Sequence, residues 1–178
     1  MTHTTDRLFR HMAWANAQTF AVLAALPEAV YAHSEPGNDW NVGMIAAHLA
    51  EAATSYASRL DGAPYADLPF ERITTHAELA VAADACAGAD ARLRQASLLP
   101  EGMVARKDDP NNIRARSTVL GQSIHHATEH RAQIAGALVA HGITALDWTH
   151  WMSGRWVMPR GWGSEVRSSR VYCNTPRL

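Results

Sequence analysis

Hydrophobic positions recur at steps of three and four along four stretches of this chain, and each stretch ends at residues that stop a helix. Between about residues 4 and 26, Leu8, Met12, Ala15, Thr19, Val22 or Leu23, and Leu26 form one stripe, with Thr4 or Thr5 as the cap and Pro27 as the stop. A second helix is predicted over 41–60, with Asn41 as N-cap, Ile45, Leu49, Ala52 and Tyr56 on one face, and Asp61-Gly62 as its end. The third, 75–98, opens on Thr74 or Thr75 followed by Glu78, a capping-box pattern, and stops before Pro100. The fourth, 117–141, starts at Ser117 or Thr118, carries Leu120, Ile124, Ala127, Ile134 and Leu138 in phase, and closes on Gly142.

The connections are predicted to be short and irregular. Residues 33–39, with Pro36 and Gly37, read as a loop, and Pro64 and Pro69 keep 63–73 out of a helix. Residues 101–116 are polar around Asp109-Pro110-Asn111-Asn112, which predicts a turn or short hairpin. The tail, 147–178, holds four of the six tryptophans (Trp148, Trp151, Trp156, Trp162) and is predicted to pack on the rest, beginning with a short helix near Asp147 to Ser153. Four amphipathic helices of similar length predict an all-α four-helix bundle, because each must bury its stripe against the others. With 178 residues, 47% of them apolar, one domain spanning 1–178 is the expected organisation.

Charge narrows the partners. A net charge of −1 provides no field toward nucleic acid or an anionic membrane, so neither is an expected partner. The arginines at 155, 160, 167, 170 and 177, against the single acid Glu165, read as a solvated basic end. No apolar run approaches the roughly 20 residues that span a bilayer. Residues 1–10 include an acid and lack the apolar segment of a signal peptide. The two cysteines, Cys86 and Cys173, show no metal-binding or redox spacing, which fits a reducing cytoplasm.

Ten histidines are present, and six of them, His3, His11, His33, His76, His141 and His150, fall on polar faces, ends or loops where a solvated ring is the simplest account. The segment Ser123-Ile124-His125-His126-Ala127-Thr128-Glu129-His130-Arg131 is different. Helical residues four apart differ by about 40° in direction, so His126 and His130 stack on one face, on the shoulder of the apolar stripe where a neighbouring helix borders it. His125 and His130 are about 140° apart and do not share a ligand. His48 has the matching placement beside Ile45, Leu49 and Ala52. Such rings are either satisfied at a helix interface or ligands of one ion. Three imidazoles occupy one side of a divalent ion's coordination sphere and leave room for a water or a thiolate, either of which becomes a nucleophile there. Nitrogen ligation suits zinc, nickel, iron or copper above magnesium or calcium.

Three motifs carry a family likeness: Trp14-Ala15-Asn16; Asn41-Val42-Gly43-Met44-Ile45-Ala46-Ala47-His48-Leu49-Ala50-Glu51; and His126-Ala127-Thr128-Glu129-His130-Arg131-Ala132-Gln133-Ile134. In this order and separation, over about residues 5 to 141, the chain resembles the DinB/YfiT-like metalloenzymes. The one departure is His125, where relatives often have asparagine. The resemblance implies a bundle of the up-down-down-up type, a metal triad of His48, His126 and His130 holding zinc or nickel above iron or copper, and a homodimer. Characterised relatives include thiol S-transferases using bacillithiol, mycothiol or glutathione, and a mycothiol-dependent maleylpyruvate isomerase; others act as hydrolases. The implied activity is transfer of a low-molecular-weight thiol onto an electrophilic small molecule, with metal-dependent hydrolysis as the alternative and a non-catalytic, stress-associated metal-binding protein as the second. Arg131 is then a candidate partner for a carboxylate of thiol or substrate, or a structural ion pair, and Glu51 a candidate to orient a ligand or move a proton.

Overall fold

The computed structural model describes residues 2–65, 67–106 and 109–146, which belong to one compact unit. The predicted helix at Asp147 to Ser153, the tail tryptophans, His150 and Cys173 lie outside the described residues. The element order is α1 (Thr2–Ala25), a 3-10 turn (Glu28–Ala32), α2 (Val42–Asp61), α3 (His76–Ala96), β1 (Met103–Ala105), β2 (Ile113–Ala115) and α4 (Arg116–Ala140). The fold is all-α, with one two-stranded hairpin as its only sheet among the described residues. No helix among them is long and apolar enough to cross a membrane.

Local chemistry sets the helix ends. The Asn41 side chain accepts from the Met44 amide at 2.9 Å and opens α2, and Gly62, at φ 73°, takes the left-handed conformation that ends it. Thr75 and Glu78 form the complete capping box of α3. At α4 the expected Ser117 or Thr118 cap is absent. The cap residue is Ala115, and a carboxylate from elsewhere does the work: Glu101 Oε1 accepts from the Ser117 amide at 3.3 Å and from Gly102 at 3.1 Å. The predicted turn at 101–116 is an antiparallel hairpin pairing Val104 with Arg114. Arg59 of α2 holds its turn by donating to the Asn112 carbonyl at 2.7 Å and to its side-chain oxygen at 3.1 Å.

The core takes Phe9, Met12 and Leu23 from α1, Ile45 and Leu49 from α2, Leu79 and Leu93 from α3, and Ile134 and Leu138 from α4. Leu8, assigned to the first stripe by periodicity, is 49% exposed; Phe9 takes the inward position instead. On α3 the buried row between the leucines is small, Ala82, Cys86 and Ala89, which lets the neighbouring helices approach closely. The segment between α2 and α3 is irregular, as its prolines require, but anchored. Ile73 is 1% exposed and its amide donates to the Gly43 carbonyl at 3.1 Å. A side chain at position 43 would collide with the Ile73 carbonyl oxygen, so glycine there permits the approach.

A polar clamp crosses this core. Arg131 of α4 donates to Asn16 Oδ1 of α1 at 2.5 Å, and Asn16 Nδ2 donates to Asp90 Oδ2 of α3 at 2.9 Å. All three residues are at most 3% exposed. Arg131 also donates to Thr128 Oγ1 at 3.0 Å. Of the two roles open to Arg131, this geometry matches the structural one: its guanidinium is buried and donates to Asn16 and Thr128. Burial pushes the Asp90 carboxyl up to about 6, only partly offset by the Asn16 hydrogen bond and the Arg131 charge.

A carboxyl whose folded pKa lies above its unfolded one holds its proton more tightly in the native state. Its contribution to stability is then full below about pH 4 and is lost as the pH rises through about 6. Chemical denaturation of the metal-free protein and its Asp90→Asn variant should show the unfolding free energy of the parent falling relative to the variant by about 3 kcal/mol over that interval. A difference independent of pH would contradict this assignment.

Candidate metal centre

His48 comes from the second turn of α2, and His126 and His130 from successive turns of α4. The Nε2 atom of His126 lies 3.2 Å from Nε2 of His48 and 3.0 Å from Nε2 of His130, and one ligand nitrogen from each ring falls within 4.8 Å of the other two. His130 is 7% exposed, while His48 and His126 are half-buried. His125 is exposed on another face of α4, which leaves His126 as the inward ring of the pair.

An imidazole nitrogen has one in-plane site, which either carries a proton or offers a lone pair. His126 Nε2 therefore cannot form N–H···N hydrogen bonds to both neighbours at once, although both lie at hydrogen-bond distance. A cation between the three resolves the conflict, because every ring then directs a lone pair at it. The spacing fits: nitrogens about 2.0–2.1 Å from a common ion stand roughly 3 Å apart at the angles of octahedral or tetrahedral coordination. The His48 and His126 side chains are also kept neutral. Burial, followed by the neighbouring His130 and partly offset by Glu51, lowers His48, while burial, His130 and His48 together bring His126 down to about 4. The donor set thus suits a divalent transition metal.

Surrounding side chains hold the rings in place. His130 Nδ1 donates to Gln133 Oε1 at 2.7 Å, which leaves Nε2 as the lone-pair nitrogen facing the triad. Trp40 covers one side, edge-on to His48 at 5.0 Å between ring centroids and stacked toward His130 at 6.2 Å. Tyr56 meets His126 edge-on at 5.6 Å. His48 opens onto a cleft of 440 Å³ bounded by Trp40, Met44, Glu51 and, from the anchored α2–α3 segment, Leu68, Phe70 and Glu71. Trp40 remains 38% exposed there. Glu51 lies on the cleft wall one turn after His48, and burial, with the Glu51 and Asp67 carboxylates, pushes the Tyr65 hydroxyl well above the usual phenol range.

Of the residues singled out in the sequence, His48, His126 and His130 meet at one place, Glu51 lines the cleft beside His48, and Arg131 joins neither. Trp40, Gln133 and Asn16 were not assigned roles there. Gln133 and Asn16 stood inside the motifs, three residues after His130 and at the end of Trp-Ala-Asn, whereas Trp40 had no signal beyond preceding the Asn41 cap.

The family model of the DinB family matches residues 1–153. The chain belongs to the DinB family. No curated protein matches it.

If Gln133 sets the tautomer of His130, Gln133→Ala should weaken zinc binding about 10-fold while the helical signal in circular dichroism is retained. Competition against a zinc chelator measures this, and an unchanged affinity would show that the ring is oriented by something else.

Proposed function

We propose that this DinB family member is a metal-dependent enzyme that transfers a low-molecular-weight thiol onto an electrophilic small molecule. The observation that carries the reading is the one-sided triad: three imidazoles converge from two helices, and the side at His48 opens onto a cleft with room for a ligand. A structural zinc site is usually closed by four protein ligands, and none of the cysteines or acids among the described residues joins this cluster. When bound, a divalent ion there supplies the positive charge that lowers the pKa of a coordinated thiol or water. Zinc or nickel is the metal of this reading, with iron or copper compatible with the same donors.

The remaining steps fall to the chain's own residues. Gln133 keeps the His130 lone pair directed inward. Trp40, Leu68 and Phe70 offer apolar surface to the body of the electrophile and reduce the water around the reacting atoms, while Met44 extends that wall. In this reading Glu51, on the cleft wall beside His48, accepts or returns a proton there. The thiol is bacillithiol, mycothiol or glutathione by family likeness, and a cytoplasmic homodimer belongs to the same reading.

Glu51 also favours a second reading. A carboxylate one turn from a metal ligand is a suitable base for a water nucleophile, so hydrolysis remains the alternative. Added thiol separates the two. Protein prepared without a histidine tag and loaded with zinc or nickel is mixed with 1-chloro-2,4-dinitrobenzene and each thiol in turn. The proposal predicts metal-dependent consumption of at least one thiol, reduced about 100-fold or more by His48→Ala. A fully loaded protein that consumes none of the thiols, yet cleaves an aryl ester without them, would replace transfer by hydrolysis.

A further inference from the structure

Beneath the triad lies a second feature that the proposed reaction does not use. Asp90 sits in the middle of α3 with 2% of its surface exposed. One carboxylate oxygen, Oδ2, accepts from Asn16, but the other, Oδ1, is buried with no hydrogen-bond partner among the described residues. A buried oxygen in this condition carries a desolvation cost that nothing offsets. Its neighbourhood contains a cavity of 10 Å³ whose walls include Asp90, Asn16, Tyr56, Ser123 and His126. The rest of the lining is apolar, from Met12, Leu49, Ala53 and Leu93 among others. A space of that volume admits about one water molecule, provided that it finds two or more polar partners.

His126 links this cavity to the triad. Its Nε2 faces His48 and His130, so its Nδ1 occupies the other edge of the ring. With Nε2 reserved as a lone pair, Nδ1 carries the proton of the neutral imidazole and needs an acceptor. Asp90 Oδ1 needs a donor. One water accepting from Nδ1–H and donating to Oδ1 meets both needs, and Ser123 Oγ, which donates to the Leu120 carbonyl at 2.8 Å, retains lone pairs for the water's second hydrogen.

We infer that the cavity is a specific water site through which the Asp90 carboxylate fixes the tautomer and orientation of His126, making Asp90 a positioning residue for the candidate metal centre. The two α4 histidines then have matched supports: Gln133 holds His130 directly, and Asp90 holds His126 through water. A metal-ligating imidazole whose second nitrogen donates toward a carboxylate is also a stronger ligand. The inference rests on the triad being a metal site and does not depend on the reaction performed there.

Three readouts test it. A high-resolution crystal structure of the zinc-loaded protein should place a water 2.6–3.2 Å from both Asp90 Oδ1 and His126 Nδ1. Nitrogen-15 spectra of the metal-free protein at pH 7.5 should show His126 as the Nδ1–H tautomer, and Asp90→Asn should redistribute it toward the other tautomer. Zinc affinity of a folded Asp90→Asn protein should fall about 10-fold. A purely structural role would alter melting temperature and leave the tautomer and the affinity unchanged; that result, or a cavity without the water, overturns the inference. If the variant does not fold, the water position and the parent's tautomer decide it. Should zinc bind normally while no thiol is consumed, the inference stands and only the proposed reaction fails.

Discussion

The arrangement depends on one constraint: His126 Nε2 stands within hydrogen-bond distance of two other imidazole nitrogens and has a single in-plane site with which to answer them. No assignment of protons among neutral rings satisfies both contacts. Each side chain is brought there at some expense, since burial strips water from polar nitrogens and the lowered His48 and His126 side chains do not gain it back by becoming charged. A shared cation is the one partner that uses all three lone pairs together. That is why the geometry favours a metal centre over three histidines merely accommodated between helices.

The surrounding fold serves this convergence. Arg131 follows directly after His130, and its bond to Asn16 ties that turn of α4 to α1, while Asn16 extends the tie to Asp90 on α3. On the α2 side, the Asn41 cap sets where the helix starts and therefore which turn presents His48. Gly43 admits the Ile73 backbone, which fixes the segment carrying Leu68 and Phe70 along the cleft. The three sequence motifs are thus neighbours in space: one contributes the clamp, one a ligand and a cleft wall, and one two ligands with a supporting amide.

Much of this was legible in the chain because local chemistry determines it. The capping box at Thr75, the Asn41 cap and the glycines at 62 and 142 placed helix ends to within a residue or two. Four-residue spacing identified His126 and His130 as a pair by geometry alone. Other features could not be seen locally. Arg131 and Asn16 are separated by 115 residues, and nothing in their surroundings distinguishes a buried clamp from a substrate-binding arginine. Asp90 lies among alanines on a helix, where an acid ordinarily faces water, and only the packing of α1 and α4 encloses it. Leu8 and Phe9 are both apolar, so periodicity could not choose between them. The cap of α4 failed for a related reason: Glu101 supplies it from outside the helix, across the hairpin.

The central claim, that three nitrogens from α2 and α4 hold one ion, is tested most directly by anomalous diffraction from crystals grown with zinc, collected on both sides of the zinc absorption edge. The account predicts one peak per chain at about 2.0–2.1 Å from each Nε2 of His48, His126 and His130. A well-ordered triad with no anomalous density between the rings, under conditions where zinc is in excess, would contradict it.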